Sequence, residues 1–381
     1  MAKLRQVPAT PVSNTDSAAH ARYSPRPRHK TGGARTGRRG SLDGMDIAPL
    51  HSSDTDLVDQ WLDLNERVRV ADRPDDAPTS RRALRASLDH PEYGFQEETY
   101  IATENGAVVA ASRLWFPLLD NTDNAIWDVI VDVEHRRNGI ARTLFEHARD
   151  RSRALKRVRI IGEVRETYPG PADPAWAPTE FARSIGAQRA LAEVRRRLDL
   201  SKSDVDALDK LEQQSADAAA GYHLVEWQDT APDELMDGLV VLERRMSTDP
   251  PLGDLVWEQE AVDRDRLRGV EKQLGLLGRR AFNVGAIHDG TGEVAGVTRL
   301  VVDEDVPIQA WQWNTIVLPE HRGHRLGLLV KLANLRQLRR LSPEAIWVDT
   351  WNAEENSFMV AVNEAMGFEV REYESEWQLD I

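Results

Sequence analysis

Two short basic turns stand at matched places in the chain, each between an apolar strand pattern and a helix pattern. They read Arg136-Arg137-Asn138-Gly139-Ile140-Ala141 and Arg322-Gly323-His324-Arg325-Leu326-Gly327-Leu328. The first turn of a helix leaves its N–H groups unpaired and carries the positive end of the helix dipole, so it attracts phosphate oxygens. Small residues let a diphosphate approach the backbone, and arginines add charge and paired donors. The chemistry expected of both turns is the holding of a phosphorylated ligand. The chain has no cysteine, which excludes thiolate nucleophiles, disulfides and thiolate metal sites and fits a reducing cytoplasm. No His/Asp/Glu grouping has metal-ligand spacing, so no metal is expected.

The turns belong to an internal repeat, which organises the whole chain. Trp127-Asp128-Val129-Ile130-Val131-Asp132-Val133-Glu134-His135-Arg136 lies against Trp313-Asn314-Thr315-Ile316-Val317-Leu318-Pro319-Glu320-His321-Arg322, 186 positions apart, and six of the ten are identical. Ser112-Arg113-Leu114 falls on Thr298-Arg299-Leu300 at the same offset. Ile185-Gly186-Ala187 falls on Met366-Gly367-Phe368, and Leu198-Asp199-Leu200 on Leu379-Asp380-Ile381, both at 181. One indel therefore closes the alignment. It divides the chain into a basic tail over 1–44, a first half over 45–200, a linker over 201–221 with some helical character, and a second half over 222–381.

Both halves repeat one order of elements. Amphipathic helices are predicted over Asp54 to about Val70 and Pro232 to about Met246, followed by helical segments near 79–89 and 257–274. Alternating strands come next, broken at Asn105-Gly106 and at Asp289-Gly290, then the Trp-bearing strand, the basic turn and its helix, and a further strand at Val158 to Val164 or Ala345 to Trp351. The fold class is α/β, with a mixed central sheet flanked by helices in each of two tandem units. The tail is rich in Arg, Pro, Gly and Ser and poor in large apolar residues, so it is expected to be disordered. The net charge of −14 leaves an acidic body that argues against nucleic acid and favours a cationic partner. No apolar run is long enough to span a membrane.

This layout and the turn pattern resemble the GNAT acetyltransferase superfamily, in which [Q/R]-x-x-G-x-[G/A] holds the pyrophosphate of coenzyme A. Arg136, Gly139 and Ala141 match all three positions. Arg322 and Gly327 match two, with Arg325 in place of the middle glycine. The resemblance implies acetyl-CoA as co-substrate, two tandem GNAT-like domains, and transfer of an acetyl or other acyl group, not aminoacyl, to an amine of a small molecule or peptide. It also implies that a backbone N–H of Ile316, Val317 or Leu318 meets the thioester carbonyl. The segment from Thr350 to Phe368 resembles the family's strand-then-helix ending in Gly-Phe, which makes Asn352 and Asn356 the residues for the pantetheine arm.

The place where the family often has a proton-donating tyrosine is Asn363 here and Ala182 in the first half. An amide can hydrogen-bond sulfur but is not an acid, so Tyr373 is a second candidate beside Asn363. Glu355 heads the carboxylates considered as base, with Asp349, Asp303 and Glu304; Asp128 occupies the repeat position of Asn314. Asp249 and Asp254 lie in the Pro/Gly-rich segment expected to close over the acceptor. In the first half, residues 165–174 carry three prolines where the second half has its strand-to-helix segment. Catalysis is therefore expected in the second half, with the first limited to nucleotide binding, in a monomer or homodimer. Alternative readings are a catalytically inactive coenzyme-binding or scaffolding protein, and an acetyltransferase laid out like mycothiol synthase.

Overall fold

The computed structural model describes residues 45–166 and 177–381. The expected disordered tail, and the effect of the prolines at 169, 171 and 174, lie outside the described residues.

The first half runs β1 (Met45–Pro49), α1 (Thr55–Asp72), α2 (Arg81–Ser87), β2 (Phe95–Glu104), β3 (Ala107–Pro117), β4 (Asn124–Val131), α3 (Ile140–Ala154), β5 (Arg159–Glu166), α4 (Ala177–Ser184) and β6 (Gln188–Asp199). A helix α5 (Val205–Ala218) follows. The second half repeats the order as β7 (Tyr222–Gln228), α6 (Met236–Met246), α7 (Arg264–Leu276), β8 (Arg279–His288), β9 (Val294–Asp303), β10 (Gln309–Val317), α8 (Leu326–Leu341), β11 (Trp347–Ala353), α9 (Ser357–Ala365) and β12 (Glu369–Asp380).

The mixed sheet expected for each half is present, and the two sheets are continuous. Twelve strands run in the order β1-β2-β3-β4-β5-β12-β6-β11-β10-β9-β8-β7. The closing strands have changed places. β12, from the second half, pairs antiparallel with β5 of the first, and β6 pairs antiparallel with β11 of the second. β6 and β12 then pair with each other from Glu369↔Arg197 to Gln378↔Gln188. The only parallel pairs among the described strands are β4–β5 and β10–β11.

Each helix is where apolar spacing demands cover. Leu144, Phe145 and Ala148 of α3 bury with Trp127, Ala110 and Leu114 on one sheet face, while Val58, Trp61 and Leu62 of α1 bury with Ile101 and Val108 on the other. Strand alternation, with successive side chains on opposite faces, serves both. The segment 201–221 is not an irregular connector over its central part. Asp204 caps α5 by accepting the N–H of Ala207 at 3.0 Å, and Leu208 and Leu211 pack into the core around α8. α8 is covered on nearly every side, twelve of its sixteen residues being buried, which is why it reads as apolar almost all round.

Charge ties the halves together where the closing strands meet. Arg195 and Arg197 of β6 converge on Asp349 of β11 and on Asp76 of the α1–α2 loop, with Arg195 Nε 2.9 Å and Arg197 Nε 2.7 Å from the Asp349 carboxylate. Burial pushes the Asp76 carboxyl up, but Arg195, Arg197 and Arg73 outweigh it and hold it at about 2. The α6–α7 loop crosses in the other direction: Leu255 and Trp257 bury against Ile161, Ala190 and Leu191 of the first half.

Candidate functional site

In both halves the Trp-bearing strand leaves its parallel neighbour early. β4 pairs with β5 only over Asn124–Ile126, and β10 with β11 only over Gln309–Trp311. Beyond those points the strands are no longer paired, beside the start of α3 or α8, and in the first half a cavity opens there.

The basic turns share one backbone path. Arg136 and Arg322 are extended, at φ −67° and −72°. The second and fourth positions are left-handed: Arg137 at φ 67° and Gly139 at 86°, Gly323 at 91° and Arg325 at 55°. Glycine and arginine have traded places between the two halves while the path is kept. Arg325 thus adopts a conformation that glycine takes freely and other residues take at a cost of about 1 kcal/mol. A Cβ at Gly139 or Gly323 would touch nothing within 4 Å, so their use lies in the dihedral angle alone.

Neither helix start is neutralised. α3 and α8 have no acidic residue in the first turn and no side-chain cap. The first intrahelical bonds reach back from Thr143 to Gly139 and from Leu329 to Arg325, which leaves the amides of Ile140, Ala141 and Arg142, and of Leu326, Gly327 and Leu328, pointing outward. Arg137, His324 and Arg325 are exposed beside them. Asn138 is exposed as well. An anion fits this donor set.

The motif arginines hold the turn itself. Arg136 donates to the Val131 carbonyl and, bidentately at 2.8 Å, to Asp72 at the end of α1. Arg322 donates to the Val317 carbonyl and to Asp249 at 2.6 Å. Asp249 is therefore engaged by the turn, and also lies 3.6 Å from Arg245. Asp254 is exposed and sits apart, its N–H bonded to the Ala190 carbonyl of β6. His321 is fixed between Tyr222, at 2.8 Å, and Glu293, at 3.0 Å.

In the first half the cavity has a volume of about 570 Å³. Its wall includes Asp128, Arg136, Gly139, Ala141, Phe145 and Glu163, and also Trp377 and Leu379 from β12 of the second half. Asp128 is open to the solvent of this cavity, while neighbouring protein crowds its carboxyl. Burial pushes its carboxyl up, against the opposing pull of nearby Arg113 and the Val129 N–H.

In the second half the residues beside the parting strands differ. Gln312 staples a bulge in β10, its amide donating to Thr298 at 3.0 Å and to the Arg299 carbonyl at 2.8 Å. Ile316, Val317 and Leu318 follow the bulge, and the Leu318 N–H is already given to the Ala295 carbonyl at 2.9 Å. Asn314, at the repeat position of Asp128, donates to Glu243 of α6 at 3.0 Å. Asn356 caps α9 through the Met359 N–H at 3.2 Å. Asn352 and Asn363 come together: Asn363 Nδ2 donates to Asn352 Oδ1 at 2.5 Å. Glu355 is exposed in the turn before α9. Tyr373 is elsewhere, on β12, opposite Glu166 of β5 and Val194 of β6.

One residue escaped the motif reading. Lys331 of α8, at the repeat position of Phe145, is 1% exposed, and its Nζ donates to Asn363 Oδ1 at 2.6 Å. The signal was available as a lysine within an otherwise apolar stretch, Leu326 to Ala333.

The model of the acetyltransferase (GNAT) family matches residues 58–172, within the first half. Among solved structures, a tandem GNAT protein from the clavulanic acid biosynthesis pathway is 34% identical, with a TM-score of 0.75 over 88% of this chain and 98% of that one. A GCN5-related N-acetyltransferase from Sphaerobacter thermophilus shares the fold at 13% identity, with a TM-score of 0.60 over 88% of this chain and 95% of that one. No curated protein matches the chain in sequence. No helix among the described residues is long and apolar enough to cross a membrane, and no group of three or more His, Asp or Glu among them is placed to hold a metal.

Proposed function

The chain belongs to the GNAT acetyltransferase family in its tandem form, and we propose that it moves an acetyl or related acyl group from acetyl-CoA to the amine of a small molecule or peptide. One observation carries this reading: in each half a parallel strand pair parts beside a helix start whose amides are free and whose neighbourhood is cationic. A pyrophosphate would lie on the amides of residues 139–142 or 325–328, with Arg137 or Arg325 and His324 adding charge. The thioester arm would enter between the parted strands.

Transfer then needs a donor to the carbonyl oxygen, a base for the ammonium proton and a partner for the leaving sulfur. In the second half the Ile316 and Val317 amides follow the bulge, and the half-buried Asn352 stands across from them with the buried Asn363 behind it. These residues support placing the chemistry there. A second reading is favoured by the 570 Å³ cavity and by Asp128 within it, which offers the first half a carboxylate with a raised pKa. The two are separated by Ala141→Asp and Gly327→Asp, each of which sets a carboxylate and bulk against the phosphates. Calorimetry with CoA counts sites, and thiol release from acetyl-CoA over an amine panel reports turnover. Loss of turnover in Gly327→Asp alone supports the second half, and loss in Ala141→Asp alone supports the first. Wild-type affinity and stoichiometry in both variants would refute the coenzyme site altogether.

A further inference from the structure

A buried lysine without a carboxylate is costly, because an ammonium removed from water needs an opposite charge or several acceptors. Lys331 has one acceptor, the Asn363 side chain, and otherwise faces the Phe368 ring with its Nζ 5.0 Å from the centroid. Burial alone acts on it and pushes the ammonium down to about 7. The elements packed around it carry charged groups, among them Glu212 of α5, Arg279 of β8, Asp303 of β9, Asp349 of β11, Glu364 of α9 and Glu369, Arg371 and Glu372 of β12, and none forms an ion pair with it among the described residues. Asp349 is spent on Arg195 and Arg197.

The repeat gives the position a counterpart. The other copy of the repeat has Phe145 there, and Phe145 lines the first-half cavity. The second half has a lysine at this place, and a chain of side chains leads from it towards the end of β11. Lys331 donates to Asn363 Oδ1, so the Asn363 NH2 must face the other way, towards Asn352 Oδ1 at 2.5 Å. Asn352 stands near the end of β11, beyond the point where β10 has left it.

We propose that Lys331 is the cation behind the second-half site: through the buried Asn363 it orients the Asn352 amide towards the leaving sulfur, and its charge favours thiolate over thiol. This rests on the reading that the second half takes up a CoA thioester. In the transfer step the amine nitrogen bonds to the acyl carbon, the carbon–sulfur bond breaks, and its electron pair leaves on sulfur. The sulfur departs as the thiolate and takes its proton from solvent, and the acceptor ammonium gives its proton to solvent before the nitrogen attacks. Lys331 is a positioning residue, because it acts through Asn363.

The test uses free CoA as the probe and needs no turnover. In the full-length Ala141→Asp protein, with the first-half site closed, the ultraviolet absorbance of the bound thiolate is titrated against pH. A cation within a few ångströms lowers a neighbouring acid by one or more pKa units, so about tenfold more thiolate than in free CoA is expected at pH 7. Adding Lys331→Met should abolish that excess, and Lys331→Arg, which keeps the charge should the methionine variant fail to fold, should retain part of it. A bound thiol that titrates like free CoA, or one unchanged by Lys331→Met, overturns the role of Lys331 and leaves the coenzyme site standing. Absence of CoA binding in Ala141→Asp overturns both, because a second half without coenzyme has no leaving sulfur.

Discussion

Replacing Lys331 by Met should make the protein more stable at neutral pH, although it removes a hydrogen bond. Lys331 falls from its ordinary 10.5 to about 7 on folding. The unfolded chain therefore holds a proton that the folded one releases, and stability rises with pH between those values. At about 1.4 kcal/mol per pKa unit, the cost of burying this amine is roughly 4 kcal/mol at pH 7 and roughly 2 kcal/mol at pH 9, and it vanishes above about 10.5. Methionine carries no such cost, but it leaves Asn363 Oδ1 without its donor, at about 1–3 kcal/mol. The variant should thus gain about 1–3 kcal/mol at pH 7, and its advantage should shrink by roughly 2 kcal/mol on going to pH 9. Urea unfolding at the two pH values measures this, with m unchanged so that midpoints are comparable. An advantage that is equal at pH 7 and pH 9 would show that Lys331 keeps an ordinary pKa and that the reasoning from its burial is wrong.

The seam should respond in the opposite sense. Asp76 is held at about 2, so its contribution is present above about 4 and disappears as pH falls through 2; Asp76→Asn should lose about 2–4 kcal/mol at pH 7, read by urea midpoint, because Arg195 and Arg197 keep their burial and lose a partner. Asp128 is raised by burial, so the folded protein pays increasingly for its charge as pH rises past the ordinary carboxylate range. Asp128→Asn should be more stable than wild type at pH 7 and equal to it near pH 3, and a hundredfold or larger loss of acyl transfer in the same variant would place the base in the first half. Gly139→Ala should cost about 1 kcal/mol for its left-handed φ. Gly327→Ala should leave the fold intact, since the added Cβ would lie 3.7 Å from Val317; thermal melts compare the two.

The repeat, the mixed sheet and the basic turns were legible because each rests on local pattern. The alternation over Ala107 to Pro117 and the apolar stripe of α3 need only neighbouring residues to be read. β1 and β7 were missed because they are short edge strands that bury little, β1 none of its five residues fully and β7 only Trp227. The exchange of β6 and β12 was out of reach for a different reason. Leu198-Asp199-Leu200 and Leu379-Asp380-Ile381 are equivalent in the repeat, so either strand could close either half, and pattern cannot choose between them. The same limit hid Arg195, Arg197 and Asp349, whose charges read as solvated until two halves are brought together around them. At the site, the Asn363 position was found by alignment, but its bond to Lys331 joins residues 32 apart on separate helices.

The placing of β12 has a mechanical consequence. The strand lies in the interior of a twelve-stranded sheet, antiparallel to both neighbours, and residue 381 still bonds its N–H to the Val158 carbonyl. A force drawn along β12 from its end would shear both ladders at once instead of unzipping them rung by rung. Resistance would fall on the first half as well as the second, so tugging at one end of the chain should rupture the whole molecule in a single event.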